Sequence, residues 1–311
     1  MEAVASEHLR LNAVYWGLCC LHLLRAPADT LNTVALRAWV LSCQTASGGF
    51  APAPGHDAHV LSTLSAVQVL ALLSDPLVKD AAFADQVATY LASLQRPDGS
   101  FTGDSTAEEV DTRFTYAAMC CTFLLRRCAV LDTAAACAFI HSCANFDGGF
   151  GATPGGESHA GQVFTCTAAL TLAASAASPD GHNHHPPLTL PASQASTLGA
   201  WLAARQLPGG GLNGRPEKAP DVCYSWWVLS SLALLGKRHW IDGTALARFV
   251  LTAQDGAKGG IADRADDEGD VYHTFFGVAG LSLLGHPEVA PMDAATALPV
   301  HTVQALGLPC G

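Results

Sequence analysis

The sequence predicts an all-α protein whose fold is an α/α barrel (toroid), built from repeated helix pairs around a central apolar funnel. The first reason is a glycine-rich turn that recurs about every fifty residues. Its five copies are Gln44–Phe50, Gln95–Phe101, Asn145–Phe150, Gln206–Leu212 and Gln254–Ile261. The second reason is composition, since hydrophobic residues make up 50% of the chain and charged residues only 14%. Such a chain can fill a large buried core or line an apolar cavity.

Each turn separates two helical segments. The helices that follow the turns are predicted at 58–73, 109–127, 159–174, 221–235 and 270–284. In the first of them Val60, Leu64, Val67 and Ala71 recur at helical spacing. Because these second helices carry few charges, we expect them to form the inner layer, with the more polar first helices outside. A helix near 7–25 has no turn before it and is expected to complete the ring.

The spacing of the turns also predicts the limits of the repeats. The repeat core is expected at about 7–286, with an insertion at about 176–196, where the turn spacing is longer, and a divergent tail at 287–311. Since each repeat buries its faces only against its neighbours, residues 1–311 are expected to form one domain. The insertion contains His182, His184 and His185, and we expect a solvated loop rather than a metal site there.

Net charge and segment composition exclude several classes of protein. A net charge of −11 argues against a nucleic-acid binder. No uninterrupted apolar run reaches 18 residues, so we expect no membrane span, and the N-terminus does not have the pattern of a signal peptide. The eleven cysteines lie mostly in apolar helical runs. Together these features indicate a reduced, cytoplasmic compartment.

Polar residues begin each inner helix at nearly the same register. They are Asp57 and His59, Asp111 and Arg113, Glu157 and His159, Asp221 and Cys223, and Asp270 and His273. If the inner helices are parallel, these groups all face one mouth of the barrel, together with the positive ends of the helix dipoles. We expect Asp57 and Asp111 only to cap their helices.

Capping does not account for Cys223 and His273. With Asp221 they offer a carboxylate, a thiolate and an imidazole, which can hold Zn²⁺ and leave a fourth position open for a substrate. Basic residues precede this set, since Arg215 and Lys218 lie in the loop just before Asp221. With Tyr224, Arg113 and His159 they can form a local anion site. The alternative is a solvated loop in which Arg215 and Lys218 pair with Glu217 and Asp221.

Aromatic residues lie on most of the predicted inner helices, and they are Tyr15, Trp16, Phe114, Phe164, Trp226, Trp227, Phe275 and Phe276. For most of them ordinary core packing is sufficient. The axis of a barrel must nevertheless be filled, and aromatic side chains along it can line a deep apolar funnel for a lipid chain. A metal, an anion site and a funnel at one mouth indicate a substrate with an apolar tail and a phosphorylated head.

The segment 211–227, GLNGRPEKAPDVCYSWW, resembles the β subunits of Rab geranylgeranyltransferase, the type II branch of the protein prenyltransferases. Segments 8–18, 155–162 and 272–285 add to the resemblance, which covers about residues 7–286. It implies that Asp221, Cys223 and His273 bind one zinc ion per β subunit. It also implies that His159, Arg215, Lys218 and Tyr224 bind a diphosphate, and that Asp263 holds Mg²⁺ beside it.

The resemblance further implies that the lipid pocket includes Asn12, Trp16, Trp227 and Tyr272. Asn12 stands where farnesyl-specific relatives carry a bulky aromatic residue, so a longer, twenty-carbon chain is expected to fit. The implied reaction transfers geranylgeranyl from geranylgeranyl diphosphate to C-terminal cysteines of Rab GTPases. The implied partners are a prenyltransferase α subunit, which forms a heterodimer with this chain, and a Rab escort protein that presents the Rab.

Three alternatives stay open from the sequence. One is a β subunit of a CaaX-type protein prenyltransferase. Another is a terpene cyclase, which would need an Asp-x-Asp-Asp acid motif, whereas the acidic residues of Asp263–Asp267 have a different spacing. The third is a non-catalytic scaffold, which would not require the complete ligand set Asp221, Cys223 and His273.

Overall fold

The chain folds into a ring of helix pairs in a computed structural model that describes residues 6–106, 108–178, 184–186, 188 and 190–310. Within these residues there are twelve α-helices, which confirms the all-α prediction. They are α1 (Arg10–Leu23), α2 (Thr33–Ser42), α3 (Val60–Leu72), α4 (Ala81–Ser93), α5 (Thr112–Leu124), α6 (Thr133–Ser142), α7 (Ala160–Ala177), α8 (Ala192–Ala203), α9 (Tyr224–Leu234), α10 (Gly243–Thr252), α11 (Val271–Leu283) and α12 (Val300–Ala305). Short 3₁₀ helices lie at Glu7–Leu9, Ala28–Thr30, Pro76–Lys79, Cys128–Val130 and Arg238–Trp240. The strands β1 (Met292–Asp293) and β2 (Leu298–Pro299) form one antiparallel pair.

The inner layer is a closed ring of α1, α3, α5, α7, α9 and α11. Each of these helices packs on the next, and α11 returns to α1. Their burial agrees with the predicted inner layer, since every residue of α3 except Leu61 is buried. By contrast, the outer helix α10 buries only Leu246 and Val250. Helix α7 is long and apolar enough to cross a membrane, but 67% of it is buried inside the fold, as in a core helix.

The five glycine turns have the same local structure. An antiparallel bridge closes each turn, as between Gln44 and Phe50 or between Gln95 and Phe101. A glycine inside the turn has a positive φ, for example 86° at Gly99, where a side chain would be strained. The closing residue is fully buried at Phe50 and Phe101. The repeat therefore pairs a sharp backbone turn with an apolar residue that anchors it in the core.

Backbone hydrogen bonds link the repeats at one mouth of the barrel. In each case an N–H at or just before the start of an inner helix donates to a carbonyl in the loop that leads to the next inner helix. These bonds are Leu11 N to Pro52 O (3.1 Å), Val60 N to Gly103 O (2.8 Å), Thr112 N to Ala152 O (3.0 Å), Ala160 N to Gly214 O (2.8 Å) and Val222 N to Asp263 O (2.9 Å). Amides at a helix start have no partner inside the helix, so these bonds satisfy them and fix the helix starts in one register.

Side chains cap the inner helices, although not all of those expected. Asp111 accepts a hydrogen bond from the N–H of Arg113 at 2.7 Å, which confirms its capping role. The prediction for Asp57 was wrong, because Nδ1 of His59 caps α3 by accepting from the N–H of Leu61 at 3.2 Å.

The C-terminal tail folds back and closes the other end of the barrel. Residues 293–297, which we call the floor turn, run from the last residue of β1 to the start of β2. Three side chains of inner helices donate hydrogen bonds to its carbonyl oxygens. They are Tyr15 Oη to Ala297 O (2.5 Å), Gln68 Nε2 to Thr296 O (2.9 Å) and Tyr116 Oη to Ala295 O (3.0 Å). The tail is therefore part of the core rather than a surface extension.

The described part of the insertion also contacts the tail. His185 was expected in a solvated loop, but its side chain is only 6% exposed and lies 3.1 Å from the carboxylate of Asp293. Asp293 is fully buried, and a buried carboxylate needs polar partners. The neighbouring His184 lies 2.9 Å from the carbonyl oxygen of Cys310. His182 lies outside the described residues.

Candidate active site: a ligand cluster above an apolar cavity

Asp221, Cys223 and His273, which we call the ligand cluster, meet at the mouth of the barrel. Their ligand atoms all lie within 4.8 Å of one another, and Asp221 Oδ1 is 3.4 Å from His273 Nε2. Asp221 and Cys223 directly precede α9, while His273 lies in the first turn of α11. The structure therefore brings together the three residues that the sequence singled out, from two adjacent repeats.

Local backbone structure orients each member of the ligand cluster. Asp221 Oδ1 accepts from the N–H of Cys223 at 2.7 Å, which holds both side chains on one side of the helix start. Cys223 occupies the N-cap position of α9 without a capping hydrogen bond from its side chain. Asp270 caps α11 by accepting from the N–H of His273 at 2.8 Å, and its second oxygen lies 2.6 Å from His273 Nδ1. Asp270 thereby leaves Nε2 of His273 to face Asp221.

The protonation of the cluster depends on its partial burial. Burial alone would raise the pKa of Asp221, but hydrogen bonds with His273 and Cys223 outweigh it and lower that pKa. Burial alone would lower the pKa of His273, but hydrogen bonds to Asp221 and Asp270 raise it to about 9. Burial, followed by the charge of Asp221, raises the pKa of the Cys223 thiol well above its usual range. Without a cation the cluster therefore keeps protons on His273 and Cys223.

The donor set and spacing of the cluster fit a zinc ion. Zinc lies about 2.0–2.3 Å from oxygen, nitrogen and sulfur ligands, so tetrahedral ligands are separated by roughly 3.3–3.8 Å. The 3.4 Å between Asp221 Oδ1 and His273 Nε2 lies in that range. All three ligand atoms lie within 4.8 Å of one another, so the side chains need to move only slightly closer to surround the ion. Three protein ligands of these types match a zinc site with one position open to a substrate.

An apolar cavity of about 440 Å³ extends from the ligand cluster into the barrel. Cys223 borders it, and the four predicted pocket residues line it, namely Asn12, Trp16, Trp227 and Tyr272. Aromatic rings pack edge to face along the wall, with Trp16 and Tyr272 centroids 5.0 Å apart. The volume lies within the range of small-molecule pockets. A larger cleft of about 740 Å³ lies at the opposite end, by Arg126 and the tail, away from the cluster.

Polar and basic groups surround the mouth of the cavity. His159 Nε2 lies 3.2 Å from Tyr224 Oη, and both residues line the cavity. Gly214 permits this arrangement, since a Cβ there would be 2.4 Å from the Tyr224 hydroxyl. Burial, and then the charge of Arg215, lowers the pKa of His159. Burial also raises the pKa of Tyr224 to about 12, so its hydroxyl stays protonated and able to donate.

Arg215 has a different partner from the one that the solvated-loop alternative gives it. Arg215 does not pair with Glu217 or Asp221, because its guanidinium lies 2.5 Å from the carboxylate of Glu157. Lys218 is exposed in the same loop, three residues farther along. The sequence interpretation missed Glu157 as a partner of Arg215, although Glu157 lies just before an inner helix, two residues from the N-cap His159.

We call the polar and basic residues around the mouth of the cavity the rim, and two further members of it, Arg113 and Asp263, have defined partners. Arg113 lines the cavity while its guanidinium makes two hydrogen bonds to Asp111, at 2.9 and 2.7 Å. Asp263 accepts from the N–H of Val222 through its backbone carbonyl, so it lies beside the start of α9. The carboxylate of Asp263 pairs with Arg264 at 2.5 Å.

The chain matches the family model of the prenyltransferase alpha-alpha toroid domain over residues 1–298. It is 47% identical over 297 residues to the geranylgeranyl transferase type-2 subunit beta of Saccharomyces cerevisiae, over 94% of this chain and 87% of that protein. It is 49% identical over 305 residues to the geranylgeranyl transferase type-2 subunit beta 1 of Arabidopsis thaliana, over 97% of this chain and 88% of that protein.

Among solved structures, the Candida albicans protein geranylgeranyltransferase-I complexed with GGPP superposes with a TM-score of 0.85. It covers 98% of this chain and 93% of that chain at 22% sequence identity, which supports the fold alone. With two type-2 relatives near half identity over almost its whole length, this chain belongs to the geranylgeranyl transferase type-2 β subunits of the prenyltransferase alpha-alpha toroid family.

Proposed function

We propose that this chain is the catalytic β subunit of a protein geranylgeranyltransferase that modifies C-terminal cysteines of Rab GTPases. The observation that carries the proposal is the ligand cluster at the mouth of an apolar cavity. The type-2 relatives favour this branch over the CaaX-type enzymes. We further propose that the chain acts in the cytoplasm as a heterodimer with a prenyltransferase α subunit, and that a Rab escort protein presents the Rab. All eleven cysteines are unpaired, which agrees with a reducing compartment.

The proposed cofactor is one zinc ion, held by Asp221, Cys223 and His273. Bound zinc would supply a Lewis acid that lowers the pKa of the substrate thiol. Asp270 holds the ring of His273 through Nδ1 and so presents Nε2 to the ion. Asp221 is already bonded to the backbone of Cys223, so two ligands are oriented before any ion binds.

The proposed reaction is a displacement at C1 of geranylgeranyl diphosphate. The substrate sulfur forms a thioether bond to C1 as the C1–O bond breaks. The diphosphate leaves with the bonding electrons, and the thiol proton goes to solvent. No protein nucleophile is needed, so the role of the chain is to hold both substrates and to stabilise the leaving group.

Residues of the rim are suited to that leaving group. Tyr224 and His159 lie at the boundary between the cavity and the mouth, where a diphosphate attached to a buried chain would be placed. We propose that Arg215 and Lys218 join them, with Arg215 exchanging its contact with Glu157 for the diphosphate. Donors that meet the growing negative charge in the transition state lower the barrier most. We propose that Asp263 holds Mg²⁺ beside the diphosphate, which requires its contact with Arg264 to open.

The lipid is proposed to occupy the cavity. Asn12, Trp16, Trp227 and Tyr272 line its wall, and aromatic walls offer a large apolar contact area for an isoprenoid chain. The absence of a bulky side chain at Asn12 leaves room for a twenty-carbon chain rather than a fifteen-carbon one.

A cysteine substitution tests the proposal most directly. We expect Cys223→Ala to abolish zinc binding and labelled geranylgeranyl transfer to a Rab–escort complex, because two protein ligands remain. Cys137→Ala, a partly buried cysteine on α6, is the matched control and should keep both. Zinc is measured by elemental analysis of the purified heterodimer. Full transfer by zinc-free Cys223→Ala protein would sink the proposal, and preference for CaaX peptides over Rab tails would reassign the substrate.

A further inference from the structure

The loop that carries Arg215 and Lys218, which we call the cation loop (residues 213–218), is folded around one buried side chain. Asn213 begins the loop and is only 2% exposed, whereas Lys218 at its other end is exposed. Asn213 Nδ2 donates to the carbonyl oxygen of Lys218 at 2.9 Å, so the side chain of the first residue binds the backbone of the last. A buried amide needs such partners, and this bond closes the loop.

Arg205 holds the other side of the same amide from within the protein. Its Nη1 donates to Asn213 Oδ1 at 3.3 Å, and its carbonyl oxygen accepts from the N–H of Asn213 at 3.0 Å. The guanidinium is itself fixed, because Nε donates to Trp201 O at 3.1 Å and the group lies over the Trp201 ring, 4.6 Å from its centroid. A guanidinium only donates and a carbonyl only accepts, so the amide of Asn213 satisfies both neighbours in one orientation only.

The start of the cation loop has a fixed position relative to two other residues of the rim. The N–H of Ala160, the first residue of α7, donates to Gly214 O at 2.8 Å. His159 caps that same helix start. Gly214 also lies against Tyr224, whose hydroxyl would be 2.4 Å from a Cβ at this position. The first part of the loop is therefore held beside His159 and Tyr224.

The far part of the loop, with Arg215 and Lys218, depends on a strained turn. A long backbone bond runs from Lys218 N to Arg215 O at 3.4 Å. Glu217 between them has a φ of 65°, a strained conformation for a residue with a side chain, which persists only where the surroundings impose it. The bond from Asn213 to the Lys218 carbonyl supplies this constraint. Without that bond the turn that places the two cations would relax toward other conformations.

We propose that Asn213, held in place by Arg205, is a positioning residue for the diphosphate and fixes the backbone from which Arg215 and Lys218 reach it. This inference rests on the proposed function for the identity of the ligand. Donors that are fixed before the reaction need no reorganisation as the leaving group develops its charge, whereas a relaxed loop must first be ordered. Loss of the Asn213 bond therefore weakens the hold on the charged head, while the cavity wall and the ligand cluster stay unchanged.

The test compares Asn213→Ala with the wild-type heterodimer. We expect kcat/KM for geranylgeranyl diphosphate to fall by at least about tenfold, since a misplacement of about 1 Å can lower a rate by about 10²-fold. Calorimetry should show a similar loss of affinity for geranylgeranyl diphosphate, but none for geranylgeraniol, which has the same chain without the diphosphate. Zinc content confirms that the ligand cluster is intact.

Asn32→Ala is the matched control for a general loss of stability. It removes a bond of the same kind, from the N–H of Ala35 to Asn32 Oδ1 at 3.0 Å, at the start of the outer helix α2. This position is at the opposite end of the barrel from the rim. The control should unfold more easily in urea, yet keep the wild-type kcat/KM and both affinities.

A further measurement shows whether Asn213 acts through the two cations. In a heterodimer that carries Arg215→Gln and Lys218→Gln, the addition of Asn213→Ala should change the affinity for geranylgeranyl diphosphate by less than about twofold, because residues that act through one another are not additive. A full, additive loss in that background would overturn the inference. If Asn213→Ala does not fold, Asn213→Ser, whose hydroxyl is too short to reach the Lys218 carbonyl, is judged by the same measurements.

The outcomes separate the inference from the proposed function. If wild type binds geranylgeranyl diphosphate but transfers none of it, the proposed function fails, and the two affinities still decide the role of Asn213. If wild type transfers the lipid and folded Asn213→Ala keeps its kcat/KM and its affinity within about twofold, well below the loss expected from a misplaced donor, only the inference is overturned. If wild type binds no diphosphate, both are overturned.

Discussion

Asp270→Asn should weaken zinc binding without unfolding the helix that carries His273. The carboxylate of Asp270 makes two contacts, one to the N–H of His273 and one to His273 Nδ1. Asparagine is as good a capping residue as aspartate, so the first contact should survive. The second should weaken, because a neutral amide replaces the charged partner of the imidazole. Loss of the hydrogen-bond partner of a metal-binding histidine typically lowers metal affinity 10–100-fold, which is about 1.4–2.7 kcal/mol of binding free energy.

The pH dependence of this loss has a defined sign. Asp270 helps to raise the pKa of metal-free His273 to about 9, and zinc must displace the proton that His273 carries below that pKa. Removing the carboxylate lowers this pKa and so reduces proton competition, which partly offsets the loss at neutral pH. Each unit by which the pKa of His273 falls restores about 1.4 kcal/mol of zinc-binding free energy at pH 7. We therefore expect a smaller loss of affinity at about pH 7 than at about pH 9.

The assay is competition for zinc between the metal-depleted protein and a chromophoric chelator, corrected for the pH dependence of the chelator. Asp267→Asn is the matched control, since it removes the same charge from an exposed position three residues earlier. It should change zinc affinity by less than about twofold, because the charge it removes is exposed and screened. Equal affinities for Asp270→Asn and the control at both pH values would refute the assignment of Asp270 as the residue that orients His273.

Three other predictions concern the rim, a turn and the cavity wall. Arg215→Gln should lower kcat about 10²–10³-fold with unchanged zinc content, because one donor to the leaving diphosphate is lost. The rate of geranylgeranyl transfer in a single turnover measures this loss. Gly55→Ala should lower the free energy of unfolding by about 1–2 kcal/mol, because alanine is strained at a φ of 88°. Gly99→Ala should lower it more, because its Cβ would also lie 2.0 Å from the carbonyl oxygen of Ala135. Equal losses of unfolding free energy in urea would contradict that packing argument. Trp227→Ala should weaken geranylgeranyl diphosphate binding about tenfold or more by calorimetry, because a large apolar contact is removed.

The repeats and the ligand cluster could be predicted from the sequence because their determinants are local or repeated. Each turn carries its own glycine and its own buried closing residue, as Gly99 and Phe101 illustrate. Hydrogen bonds between adjacent repeats then align the starts of the inner helices, so residues at equal register meet at one mouth. Asp221 and His273 are fifty-two residues apart in sequence and 3.4 Å apart in the structure for this reason.

The floor turn and the partner of Arg215 could not be predicted, because both depend on tertiary packing. The floor turn depends on how the tail returns to the ring, and the partner of Arg215 depends on how adjacent repeats pack. Tyr15 and Gln68 occupy ordinary inner-helix positions, and the carbonyls they bind lie in a tail without a repeat signal. Arg215 has acidic neighbours in its own loop, yet it contacts Glu157 of the preceding repeat. His185 is a similar case, because its polar neighbours in sequence indicate a solvated loop, whereas the fold brings it beside Asp293.

Closure of the ring has a consequence for the synthesis of the protein. Helix α1 leaves the ribosome long before α11, which covers one of its sides, and before the floor turn. The bond from Tyr15 to Ala297 spans 282 residues, which takes roughly 15–60 s at typical translation rates. During that interval Leu11, Leu18 and Leu23, all buried in the finished fold, have no partner from the end of the chain. Newly made molecules are therefore most prone to aggregation before α11 and the floor turn emerge, and a stop codon before Val271 leaves a barrel that cannot close.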